Sequence, residues 1–415
     1  MKNLVILGAG TGGTLLANRM SRRLSREWSV KVVDGEELHL YQPALLTLPF
    51  GKERESTLRR RRARTLVHGV EWVRSAVLAV DAPARQVRLA NGEVLVYDYL
   101  VVASGCRIRP DLTPGLTDEG WRRDAFDFYT LEGATALRDR LANFDAGRLV
   151  VNIVEMPIKC PVAPLEFLFL ADEFFRKRGV RDRVELVLAT PLDGAFTKPI
   201  ASRALGYLLD KKGIRVEADF STGEVDGKRR VVKSYDDREV PYDLLVSIPT
   251  HSGAEFIQAS GLGNELAFVP TELHTLAAKK LENVFVLGDA TDLPTSKAGS
   301  VAHFQGHVLA ENLMRAMAGR ELLGDFDGHA NCFIETGFGK ALLIDFNYEV
   351  EPLPGRYPLA GVGPFSLLSE SRINHWGKRF FKWLYWNLLL PARPMPVPNQ
   401  MSMAGKRAPL LLKPA

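Results

Sequence analysis

Short apolar runs recur along this chain at residues 4–7, 30–33, 99–103, 149–154, 184–189, 244–248 and 283–287. Runs of this length, mainly apolar and bounded by small or acidic residues, predict strands buried in parallel sheets. Helical spacing follows three of them, to about Arg23, over 164–178 and over 297–317. A different rhythm holds at 73–80, 86–89 and 94–97, where Asn91-Gly92 predicts a tight turn between antiparallel strands. Near the C-terminus Trp376, Phe380, Trp383, Leu384 and Leu388 keep helical spacing, with Lys378, Arg379 and Lys382 beside them. The pattern as a whole predicts an α/β protein with an amphipathic helix near its end.

Composition narrows this picture without changing it. At 415 residues the chain has room for two or three domains with substantial cores, and its apolar and charged fractions are those of a globular protein. A formal charge of +5 is mild for this length. The densest basic run, Arg59 to Arg62 with Arg64, reads as a solvated turn, or as a contact for anionic lipid. No motif for nucleic acid accompanies it. Three cysteines, Cys106, Cys160 and Cys332, give no CxxC pair and no spacing that suits zinc, so a disulfide framework and a metal site are both excluded. The first residues pass straight into a strand, leaving no room for a leader, and no apolar run is long enough to span a bilayer. These features predict a protein in the cytoplasm or on the cytoplasmic face of a membrane.

Two stretches carry chemistry. Gly8-Ala9-Gly10-Thr11-Gly12-Gly13 stands between a strand and a helix, and the next strand ends on Asp34-Gly35. Strand, glycine loop, helix, strand and acid in this order predict a dinucleotide site, with backbone N–H groups on a pyrophosphate and Asp34 on ribose hydroxyls. A later strand ends in the small residues Ser104-Gly105, which let backbone approach a cofactor, and another ends in Gly288-Asp289. Two distant parts of the chain thus converge on one nucleotide. Between the strand 149–154 and its helix, by contrast, Glu155, Met156, Pro157, Ile158 and Lys159 lead to Cys160. A carboxylate and prolines make a poor phosphate cradle, and the turn presents a thiol instead.

The glycine loop with the late Gly288-Asp289 resembles the two-dinucleotide-binding-domain flavoproteins. Cys160-Pro161-Val162-Ala163-Pro164-Leu165-Glu166, together with Cys332 in Asn331-Cys332-Phe333-Ile334-Glu335-Thr336-Gly337, resembles the paired motifs of sulfide:quinone oxidoreductases and of the flavocytochrome c sulfide dehydrogenase flavoprotein subunit. The resemblance implies two Rossmann-like domains, the second inserted in the first: an FAD-binding domain over 1–105 and 273–325, a second domain over 106–272, and a C-terminal region over 326–415. It implies that FAD lies against Gly8, Gly10, Gly13, Asp34, Gly35, Ser104, Gly105, Gly288 and Asp289. It implies further that hydrogen sulfide is oxidised by Cys160 and Cys332, with Cys332 on the flavin side and Cys160 carrying sulfur, and that quinone takes the electrons.

Around that core several readings stay open. Glu166 is either a proton relay in the same cavity or a first-turn carboxylate favoured by the helix dipole. Lys297 and His303 start the helix expected to end near the flavin pyrimidine, where a positive group would stabilise the reduced flavin; His303 otherwise reads as a helix-surface or hydrogen-bonded structural histidine. Cys106 reads as a small buried residue, because the third cysteine of many relatives has no counterpart in 121–130. The C-terminal helix, with three of the six tryptophans near it, suits a peripheral membrane anchor beside a quinone path, or else a core or dimer helix. Pro394, Pro396 and Pro398 argue for an extended arm, and a homo-oligomer is expected. The competing assignments are a type II NADH:quinone oxidoreductase, an exported sulfide dehydrogenase subunit and a non-catalytic flavin sensor.

Overall fold

The computed structural model describes residues 1–359, 363–395 and 398–407; Pro396 lies outside these residues. Two five-stranded parallel sheets organise the chain. In the first, the order is Val284–Val286, Tyr99–Val102, Lys2–Leu7, Trp28–Val33 and Val70–Val73. The second runs Ala125–Phe126, Leu244–Ile248, Gly147–Ile153, Val184–Ala189 and Ile214–Glu217. Their central strands are almost wholly buried, as continuous apolar runs require. The strand from 283 returns to the first sheet after the whole second sheet has been built, so chain remote in sequence closes it.

The helices fall where the spacing placed them: Thr11–Arg23, Ala163–Lys177 and Gly299–Met317. The strand expected over 73–80 is in fact two. Val70–Val73 joins the first parallel sheet and Val77–Asp81 opens a separate antiparallel sheet with Gln86–Leu89 and Val94–Val96. Asp34 N–H donates to the Val73 carbonyl at 3.2 Å, closing the first sheet just before the chain turns away.

A mixed four-stranded sheet follows, built on the hairpin Ala330–Gly337 and Lys340–Phe346. Ala163–Lys177 packs on the first of these strands. Gly337 is needed there: a Cβ would lie 3.1 Å from Glu173 Cβ and 3.2 Å from the Phe169 carbonyl oxygen, and the residue has φ +86°. Helix Arg372–Leu384 lies across the same sheet, N-capped by Ser371, whose hydroxyl accepts from Ile373 N–H at 3.0 Å.

Candidate active site

Cys160 and Cys332 meet where the turn leading from strand Gly147–Ile153 into helix Ala163–Lys177 faces the hairpin strand Ala330–Gly337. Cys160 ends the turn; its N–H donates to the Lys297 carbonyl at 2.8 Å and its φ is +47°, a conformation few non-glycine residues adopt. Cys332 lies on the strand opposite Ile344. Both are free thiols, and the Cys332 S–H donates to the Cys160 sulfur. That bond holds the Cys160 pKa below an ordinary thiol's although burial opposes it. The same bond, then burial, pushes Cys332 well above. The shared hydrogen bond thus shifts the acidities of the two thiols in opposite directions.

Glu166 faces this pair. It is 1% exposed, accepts from Lys378 Nζ and, by a second bond, from the Glu335 backbone N–H. Burial raises its pKa, and Lys378 opposes the rise. Burial likewise pulls Lys378 down, but Glu166 and then Glu335 outweigh it and hold the ammonium above its usual value. Lys378 also donates to the Phe333 carbonyl at 3.0 Å, and His375, one turn earlier, places Nδ1 2.8 Å from the Glu335 carboxylate. The lysine grouped by sequence with a lipid-facing surface is thus turned inward, to the cysteines. Nothing in its spacing distinguished it from Arg379 or Lys382; a helix with cations on two faces was the only signal.

At the glycine loop, Gly8 has φ +100° and a Cβ there would lie 2.6 Å from the Ala103 carbonyl oxygen, while one on Gly13 would lie 1.9 Å from the Gly8 carbonyl oxygen. A Cβ on Gly10 would meet nothing within 4 Å, so the loop opens where a pyrophosphate needs room. Asp34 Oδ2 accepts from Ala9 N–H at 2.7 Å and Oδ1 pairs with Arg62 at 3.2 Å. Arg62 is 4% exposed, which corrects the reading of the whole arginine run as a solvated turn. Gly35 makes only ordinary contacts, 3.5 Å to Ala76 N from a built Cβ, and no steric demand for glycine is visible.

Ser104 Oγ is buried without a partner beside Gly105, which has φ +68°. Gly288 N–H donates to Gln305 at 2.7 Å, and the Asp289 carboxyl is raised by burial. An open loop, an orphaned hydroxyl and a buried carboxyl between two distant segments fit FAD, which these residues would hold. Lys297 Nζ donates to the Asp289 and Thr291 carbonyls at 2.9 and 2.7 Å and sits 3.9 Å over the Phe268 ring. Its ammonium therefore braces the Gly-Asp turn. The Cys106 thiol is 3.9 Å from Asp289 Oδ2, and burial followed by that carboxylate pushes its pKa up to about 12. A thiol kept protonated is a poor nucleophile.

His303 is buried, which corrects the surface reading, and neither ring nitrogen has a hydrogen-bond partner among the described residues; burial, with His307 and Arg19 nearby, lowers its pKa to about 3. Tyr129 went unnoticed in the sequence. Its hydroxyl donates to the Lys159 carbonyl at 2.8 Å, and its ring stands edge-on to His251 at 4.9 Å, beside the cysteine turn. Among the described residues no cluster suits a metal ion, and no helix is long and apolar enough to cross a membrane.

Residues 2–151 match the pyridine nucleotide-disulphide oxidoreductase family. The chain is 27% identical to the mitochondrial sulfide:quinone oxidoreductase of Mus musculus, over 93% of this chain and 86% of that protein. It is 26% identical to the Dictyostelium discoideum protein of the same name, over 94% of this chain and 86% of the other. The crystal structure of sulfide:quinone oxidoreductase from Aquifex aeolicus superposes with a TM-score of 0.77 at 19% identity, covering 93% of this chain and 92% of that one, and so shares its fold. Over nearly its whole length, then, this chain is a relative of the sulfide:quinone oxidoreductases and an FAD-dependent oxidoreductase.

Proposed function

We propose that the protein oxidises hydrogen sulfide with Cys160 and Cys332 and passes two electrons through FAD to a membrane quinone. The observation that carries this reading is the meeting of two cysteines 172 residues apart, sulfur to sulfur, with their acidities driven apart. When the pair is oxidised to a disulfide, hydrosulfide attacks one sulfur, a new S–S bond forms, and the other sulfur leaves as a thiolate with the bonding electron pair. By the family resemblance hydrosulfide attacks Cys160, which carries the sulfur, and Cys332 departs as the thiolate on the flavin side. FAD, when bound, supplies a two-electron acceptor for that thiolate.

In this reading Glu166 takes the proton that hydrogen sulfide loses and Lys378 balances the charge, which its buried pairing with Glu166 supports. The chain divides, in this reading, into an FAD domain over 1–105 and 273–325, a second domain over 106–272, and a C-terminal region over 326–415 that contributes Cys332 and Lys378. The turn after Ile153 supports sulfide over a nicotinamide donor, since Glu155 and the prolines offer no pyrophosphate cradle. Ile373, Trp376, Phe380 and Trp383 are 50–65% exposed on one face of the C-terminal helix, which suits a peripheral seat at a bilayer where quinone is met.

Anaerobic addition of sulfide, and separately of NADH, to the purified yellow protein tests the reading directly. Sulfide is expected to bleach the oxidised-flavin band rapidly and NADH slowly or not at all. Fast, saturable bleaching by NADH would overturn it. Alkylation of the dithiol form is expected to label Cys160 before Cys332 as pH rises, because the hydrogen bond between them favours the Cys160 thiolate; the opposite order would refute that ordering.

A further inference from the structure

The glycine loop is fixed from the far end of the chain. Helix Arg372–Leu384 runs without a break into the π-helical turn Tyr385–Leu389, which carries Tyr385 beneath the loop, 1% exposed. Its hydroxyl donates to His39 Nε2 at 2.6 Å and accepts from Thr11 Oγ1 at 2.8 Å. His39 Nδ1 in turn donates to the Ala9 carbonyl at 3.2 Å, which fixes the imidazole tautomer. Ala9 and Thr11 are the two residues flanking Gly10, so one phenol restrains both sides of the residue whose surroundings stand open.

Neighbouring contacts keep Tyr385 in place. Tyr41 meets its ring edge-on at 4.8 Å, Arg60 lies 4.4 Å over Trp386, and Asn18 of the glycine-loop helix donates to the Leu390 carbonyl at 2.7 Å. Pi-helical turns are rare and concentrate at functional sites.

We infer that Tyr385 is a positioning residue for FAD, acting through Thr11 and His39 on the loop that receives the pyrophosphate. Backbone N–H groups bind an anion tightly only when the loop already has its bound shape, because ordering it afterwards subtracts from the affinity. Tyr385 supplies that order from a segment outside both parallel sheets. The C-terminal region is therefore part of the flavin site, and its removal costs the cofactor as well as any seat at a membrane. The inference rests on FAD occupying the glycine loop.

Tyr385→Phe tests it, because the ring contacts survive and only the hydroxyl is lost. Flavin-stripped protein is titrated with FAD, following the quenching of flavin fluorescence. The dissociation constant is expected to rise about tenfold, the size of one displaced hydrogen bond, while the flavin-free protein stays cooperatively folded with its melting temperature lowered by about 2–4 °C, the cost of the same bond in the empty protein. Thr11→Val is expected to do the same, and the double variant no worse than either, since both break one chain of bonds. Affinity within about twofold of the parent or strictly additive losses would each overturn the inference. A parent protein that binds no FAD would instead refute the cofactor reading beneath it.

Discussion

At the residue scale the chemistry depends on a few buried groups whose partners decide their behaviour. Cys160→Ser and Cys332→Ser are each expected to abolish rapid flavin bleaching by sulfide with FAD still bound, and the double variant to be little worse, because catalytic sets acting as one unit are non-additive. Stopped-flow absorbance measures this; near-normal bleaching in either single variant would remove the cysteine mechanism. Cys106→Ser is expected to leave bleaching intact, since its thiol is held protonated beside Asp289. Lys378→Met would strand Glu166 as a buried carboxylate, and breaking such a pair costs roughly 3 kcal/mol. Urea midpoints at neutral pH are expected to show that loss, and Glu166→Gln added to Lys378→Met to recover most of it. These residues were unequally legible. Cys160 and Cys332 announced themselves by their neighbours, whereas Lys378 did not, because the direction of a lysine on a helix is set by what the helix packs against.

At the scale of elements, the C-terminal helix divides its labour by face. Outward it presents Ile373, Trp376, Phe380 and Trp383; inward it sends His375 and Lys378 to the cysteine pocket. Each large apolar side chain fully withdrawn from water contributes roughly 1.5–3 kcal/mol, so even partial insertion of four would hold the protein on a bilayer. Trp376→Glu with Phe380→Glu is expected to abolish co-sedimentation with liposomes and slow quinone reduction while sulfide-dependent bleaching persists. Unchanged sedimentation would show that this face serves something else. The helical spacing of these aromatics was plain in the sequence; the continuation into a π-turn that locks Tyr385 under the glycine loop was not, since it follows from contacts with Thr11 and His39 more than 340 positions away.

For the whole molecule, buried neutral histidines set the acid limit. Burial is the largest cause lowering His39, His251 and His303 to about 3, and it lowers His307 to about 4. A depressed folded pKa means stability present above about pH 6.5 and lost as pH falls toward the folded value, because the unfolded chain takes up the protons. At pH 5 each of the three most depressed histidines removes up to about 2 kcal/mol. Melting temperature is expected to drop steeply below pH 6, and His303→Phe to flatten that drop; a flat profile in the parent would refute the account. The sequence by itself determined the parallel strands, the glycine loop with Asp34, the missing cradle before Cys160 and the aromatic spacing near the end, because each is written in local periodicity or in adjacent residue types. Only the tertiary structure decided that Cys160 and Cys332 touch, that Arg62 is buried on Asp34, that Val70–Val73 leaves the antiparallel run, and that Lys378 and Tyr385 point inward. Those outcomes depend on how separately specified elements pack, and packing joins residues that no spacing along the chain relates.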